Sequence, residues 1–144
     1  MEYTCELIIN LPRNRVIELF DSSENLTKWQ PGLQEFEHIS GEPGQDGAKS
    51  RLVYDENGRR IEMVETILNR NFPDEFSATY EAKGVFNRIS NHFYEDSPDK
   101  TRWVMESEFD FSGVYKLMGI FMKGSFPKET TKQMNSFKTF AEKA

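Results

Sequence analysis

One cysteine in 144 residues is too few for an internal disulfide, and no CxxC pair is present to hold a metal or run redox chemistry. With Tyr3, Leu7 and Ile9 in phase around it, Cys5 reads as a small buried hydrophobe. Histidine is nearly as scarce. His38 and His92 lie far apart and neither has a second histidine at ligand spacing, so no metal and no cofactor is expected. No G-x-S-x-G, Walker or HExxH pattern occurs, which leaves nucleophilic and nucleotide chemistry without a visible carrier. Gly41, Gly44 and Gly47 are evenly spaced but enclose a proline and precede no helix, so they suit a hairpin loop rather than a phosphate cradle. No apolar run reaches bilayer length. The richest, residues 114–126, is thirteen residues long and contains Lys116 and Lys123. The opening MEYTCELIIN has no basic n-region, no long apolar h-region and no cleavage pattern, so a cytoplasmic protein is expected.

What is present is an acidic chain, with 18 basic against 24 acidic residues and a net charge of -6. That balance repels phosphate backbones and anionic surfaces. The expected partner is a small hydrophobic molecule, with no nucleic acid, no membrane insertion and a homodimer left open. The length fits one domain over residues 1–144, able to bury about 68–70% of its unfolded surface.

Residues 2–10 are partly β-branched and end at Asn10-Leu11-Pro12, which predicts a strand and a turn. Val16, Leu19 and Phe20 then fall at i, i+3 and i+4, giving a short amphipathic helix over 13–20. Asp21-Ser22-Ser23 breaks it and offers caps for a second short helix over 24–29, stopped by Pro31-Gly32. From there to about residue 111, turn residues punctuate six predicted antiparallel strands. The breaks fall at 41–47, Asn57-Gly58, Phe72-Pro73-Asp74, Lys83-Gly84 and 97–100. Asn57-Gly58 is the sharpest, because both central positions of a type I′ turn need positive φ. Residues 114–143 carry helical periodicity through Phe126, Met134, Phe137, Phe140 and Ala141. Pro127 is expected to kink or break that helix.

Strand, two short helices, six strands and a long terminal helix is an α+β order, that of the helix-grip fold. The residues Ile9-Asn10-Leu11-Pro12, Trp29-Gln30-Pro31, Gly41-Glu42-Pro43-Gly44, Met63-Val64-Glu65-Thr66-Ile67, Pro73-Asp74-Glu75-Phe76 and Phe137-Lys138-Thr139-Phe140-Ala141-Glu142 resemble the SRPBCC superfamily. That group holds START, Bet v 1-like and polyketide cyclase/dehydrase relatives. The resemblance runs over nearly the whole chain. It implies a curved antiparallel sheet of about seven strands wrapped around the terminal helix, with a hydrophobic cavity between them. Ligands and reactions differ widely in the superfamily, so activity must be argued from the site.

Alternation assigns faces, since i, i+2 and i+4 share one side of a strand. Trp103, Met105, Ser107, Phe109 and Phe111 fall opposite Glu106, Glu108 and Asp110. They are expected to face inward, as are Ser50, Leu52 and Tyr54; Ile61, Met63, Glu65 and Ile67; Phe76, Ala78 and Tyr80; and Asn87, Ile89, Asn91 and Phe93. Residues 33–40 have mixed parity and no assigned face. The expected lining is apolar and aromatic with a few polar groups, the profile of a small-molecule pocket. Its ligand-binding candidates are Tyr54, Met63, Asn87, Asn91, Trp103, Met105, Ser107 and Phe109, with Met118, Phe121 and Met122 from a lid. Trp29 reads as a core plug.

Glu65 stands out, because a carboxylate among apolar groups must find donors or hold its proton. Tyr80 and Asn91 are its available partners. Glu65 and Tyr80 are the candidate proton-transfer groups; the alternative is a structural carboxylate paired with Arg88 or Arg60. In residues 114–126, unbranched Met118 and Met122 adapt to variable shapes, and Gly119 and Gly124 weaken the helix. The stretch is therefore expected to act as a lid, or else as a dimer or partner surface. Three functions follow: a carrier of a small hydrophobic ligand, a cyclase/dehydrase-type enzyme, and an interaction module.

Overall fold

The computed structural model describes residues 1–144. Strand β1 (Glu2–Ile9) leads into helix α1 (Arg13–Phe20), a 3-10 turn (Ser23–Asn25) and helix α2 (Leu26–Trp29). Six strands follow: β2 (Leu33–Ser40), β3 (Lys49–Glu56), β4 (Arg59–Asn71), β5 (Glu75–Ala82), β6 (Val85–Ser97) and β7 (Lys100–Phe111). Helices α3 (Tyr115–Phe121) and α4 (Ser125–Lys143) end the chain. The seven strands form one antiparallel sheet in the order β1-β7-β6-β5-β4-β3-β2. After β1 the two short helices carry the chain to the far edge, and hairpins bring it back until β7 lies beside β1.

Local chemistry accounts for the hairpins. Asn57 and Gly58 adopt φ of 54° and 80°, and Gly58 N–H donates to Asp55 Oδ1 at 3.1 Å, so the β3–β4 turn is the one its sequence requires. The parity of residues 33–40 was mixed because the strand is irregular. Leu33 pairs with Tyr54, Gln34 is passed over, and Phe36 and His38 then pair with Leu52 and Ser50. A bulge of one residue switches which side of the chain faces in.

The sheet curves around α4, which packs on β1 and α2. Ile9, Val16, Leu19, Trp29, Phe93, Trp103, Met105, Met134, Phe137 and Ala141 form one buried cluster beneath α1 and the middle of α4. Trp29 is a plug there, stacked near Phe20 and edge-on to Phe137 at 5.0 Å. Cys5 is only half-buried; α4 covers it from one side, with Thr131 Oγ1 donating to its sulfur at 3.6 Å.

The helix break does not fall at Pro127. It lies at residues 122–124, between α3 and α4, and Pro127 is the third residue of α4. The first four amides of a helix have no intrahelical acceptor, so proline loses nothing there. Its ring would collide only with the carbonyl four residues back, that of Lys123, and Lys123 is outside α4. Pro127 therefore sits within the first turn of α4, two residues after its start at Ser125.

Candidate functional site

Strand register lines up one row on the concave face of the sheet: Ser50 on β3, Glu65 on β4, Tyr80 on β5, Asn87 on β6 and Phe109 on β7, with His38 of the edge strand β2 in the same row but exposed. Directly paired residues of antiparallel strands share a face. His38 was set aside in the sequence because no partner lies near it along the chain. It joins the row only through the bulge at Gln34.

Tyr80 Oη donates to Glu65 Oε2 at 2.8 Å. Both side chains are half-buried. Burial raises the Glu65 carboxyl above the usual carboxylate range, and the Tyr80 hydrogen bond offsets part of that rise. Burial likewise raises the Tyr80 phenol well above its ordinary value, helped by the Glu65 charge and hydrogen bond and by Tyr54. Tyr54, which donates to Gln30 Oε1 at 2.7 Å, is raised by burial, then by Glu65 and Glu56. The expected alternatives for Glu65 do not form. Arg60 pairs with Glu62 at 3.2 Å on the convex side. Arg88 sits opposite Thr79 and Glu108, also on the convex side. Asn91 instead accepts from Trp103 Nε1 at 2.9 Å and donates to the Phe76 carbonyl at 3.2 Å. Glu65 thus meets a neutral phenol and no cation.

The interior has two unlike ends. At one, Trp103, Phe93 and Phe137 are at most 1% exposed, and Phe20 packs against all three. Trp103, Met105 and Asn91, expected to line a cavity, belong to this filled end. Their space is taken by aromatic rings from α1 and α4. Toward the other end, Tyr54, Met63, Glu65, Tyr80, Phe109 and Phe111 face in but keep part of their surface open. Asn87 and Ser107 lie among them, buried and joined by a 3.0 Å hydrogen bond, with Asn87 Nδ2 also donating to the Glu108 carbonyl. Phe126 of α4 closes on Phe109 and Phe111 at 4.8 and 5.6 Å.

Helix α3 lies against the end of β7. Gly119 is buried on the Phe111 ring, where an added Cβ would stand 2.6 Å from Cδ2. Gly84, at φ +74°, receives the Tyr115 ring, and a Cβ there would stand 2.1 Å from it. Gly119 therefore serves docking, beyond any weakening of the helix. Met118 is half-buried, but Phe121 and Met122 are exposed. An open cleft of about 420 Å³ runs between α3 and β7, lined in part by Phe109, Phe111, Gly119 and Ile120. A second lies outside α4, around Lys28, Ser136 and Phe140, away from Glu65.

Gly84→Ala is expected to loosen α3, since alanine at positive φ costs about 1–2 kcal/mol and its methyl evicts the Tyr115 ring. Trypsin should then cut at Lys116 and Lys123 faster than in the parent protein. Equal cleavage rates would show that these contacts do not hold α3 down.

A profile of the family described as polyketide cyclase/dehydrase and lipid transport matches residues 2–142. No curated protein matches by sequence. Among solved structures, the chain is similar to the Zhui aromatase/cyclase from Streptomyces sp. R1128, with 12% identity, 99% of this chain and 93% of that one covered, and a TM-score of 0.81. It is similar to Ara h 8.0201 with 13% identity, 100% and 99% covered, and a TM-score of 0.75. It is also similar to norcoclaurine synthase from Thalictrum flavum, solved with dopamine and hydroxybenzaldehyde, with 12% identity, 99% and 87% covered, and a TM-score of 0.75. At such identities these likenesses speak to the fold alone.

Proposed function

Because this chain belongs to the polyketide cyclase/dehydrase and lipid transport family, we propose that it works as one domain that binds a small hydrophobic molecule in the open end of its concavity. The observation that carries this is the Glu65–Tyr80 pair: a carboxyl raised by burial, held by one phenol and no cation, among half-buried apolar and aromatic side chains. Such a group orients a ligand that brings its own hydrogen-bond donor, while Tyr54, Met63, Asn87, Ser107 and Phe109 supply the wall. Helix α3 with Met118 is the lid, seated by Gly84 and Gly119 and free to lift about the break at 122–124.

Native mass spectrometry of protein purified from cells without detergent, followed by denaturation, is the test. A reproducible released adduct of hydrophobic character is the expected result. A clean apo mass under all growth conditions, together with no retention of added hydrophobic probes, would count against the reading.

The same pair favours a second reading, a cyclase/dehydrase-type reaction in which Glu65 moves a proton and Tyr80 positions it. A carboxyl shifted toward neutral pH is suited to that role.

A further inference from the structure

Ten large hydrophobic side chains are exposed in this protein, and five of them fall within nine residues: Val114, Leu117, Ile120, Phe121 and Met122. Leu117, Ile120 and Phe121 are 61%, 70% and 83% exposed, and Val114 is 80% exposed. They occupy i, i+3, i+6 and i+7 positions on α3 and the residue before it, so they make one face. The opposite face, through Tyr115 and Gly119, is the one docked on Gly84 and Phe111. Helix α3 therefore turns an apolar stripe outward although it has a packed side available. Patches of this kind mark interaction surfaces.

Charge identifies the partner. From Phe111 to Lys128 the sequence holds three lysines, Lys116, Lys123 and Lys128, and no acidic residue, in a chain whose net charge is -6. The average charge, which repels an anionic surface, conceals a run around the apolar stripe whose charged side chains are all lysines, with Asp110 the one carboxylate in the adjoining cleft. Lys116 and Lys123 also line the cleft beside Phe111 and Ile120. Two copies meeting face to face through this patch would bring lysines against lysines. A seven-residue helix is also far short of the roughly 800 Å² that each partner contributes to a standard interface. An anionic bilayer fits both features: its head groups pair with the lysines, and its outer acyl region takes side chains that need burial only a few ångströms deep.

We infer that α3 is a membrane-docking tip, which lays Val114, Leu117, Ile120 and Phe121 into the surface of an anionic lipid bilayer with Lys116, Lys123 and Lys128 among the head groups. The protein adsorbs and does not cross, for none of its helices is long and apolar enough to span a membrane. The inference holds whatever the concavity binds, because it uses only the outward face of α3.

Co-sedimentation with vesicles of phosphatidylcholine alone and of phosphatidylcholine mixed with phosphatidylserine tests it. Binding is expected to the mixed vesicles, to fall with added salt, and to be lost in Leu117→Asp/Phe121→Asp, whose side chains are exposed and leave the core untouched. Charge reversal at Lys116 or Lys123 should lower the partition coefficient by roughly fivefold or more per lysine. Circular dichroism melts of the variants, expected to match the parent, separate lost docking from lost folding. Absence of binding to the mixed vesicles, or binding that the Asp pair leaves intact, overturns the inference. So does a dimer in solution that the Asp pair dissolves without any vesicle binding by the parent.

Discussion

Trp103→Ala is expected to lower the stability of this protein by about 3–5 kcal/mol, the range for emptying a large aromatic from a closed core. Trp103 has no exposed surface. Its ring stacks on Phe93 at 6.0 Å and meets Phe20 and Phe137 edge-on at 5.9 and 5.4 Å. Its indole N–H also satisfies the buried Asn91 Oδ1, so the alanine variant leaves a cavity and an unpaired polar atom together. A chain of this size loses about 2–4 °C of Tm per kcal/mol, so the fall should be roughly 6–20 °C. Phe109→Ala, at the half-buried open end, should cost clearly less. Urea unfolding of the two variants in parallel is the measurement. Equal losses would mean that the interior is filled uniformly, and the open end proposed for the ligand would have no physical basis.

Glu65→Gln is expected to raise stability at neutral pH and to leave it unchanged in acid. The folded-state pKa of Glu65 lies above its unfolded value, because burial outweighs the Tyr80 hydrogen bond. The native state therefore holds this proton more tightly than the unfolded chain. Its contribution is fully present below the ordinary carboxylate value, near pH 4.3, and is lost as pH rises through the raised folded value. Glutamine keeps an oxygen for the Tyr80 hydroxyl and has no proton to lose, so the two proteins should converge in acid and separate above it. A difference in urea midpoint that stays flat from acid to neutral pH would sink this account. Should Glu65 also move a proton in a reaction, the same variant should lower turnover by about 10²–10⁴-fold while ligand retention persists. Equal loss of both, or of neither, would count against catalysis.

Much of this architecture was legible residue by residue. Helix α1 falls on 13–20 as its apolar spacing predicted, and every strand boundary from β2 to β7 falls at a predicted turn. The inward sets on β3 to β7 were readable because period-2 alternation runs unbroken past each of their inner positions, and they brought Glu65 and Tyr80 to the same face before any register was known. What failed to show was of another kind. Nothing near Gln34 announces the bulge that puts His38 in register with Ser50 on the concave face. Gly119 looked like a weak point in a helix and proves to be a seat for Phe111, eight residues before it on another element. The apolar stretch 114–126 was expected as a lid or a partner surface, but its sequence did not say which side docks on Gly84 and Phe111 and which faces solvent.

The sequence by itself determined where elements start, stop and turn, and which side chains share a face. These follow from sterics, hydrogen-bond periods and turn chemistry acting over a few residues. Only the tertiary structure decided which inward positions are filled and which are open. That depends on side chains arriving from distant elements: Phe20 and Phe137 pack edge-on against Trp103 and leave it no exposed surface, whereas Glu65 and Tyr80 keep part of theirs. A cavity is the volume that packing leaves over, and no local stretch of sequence encodes it.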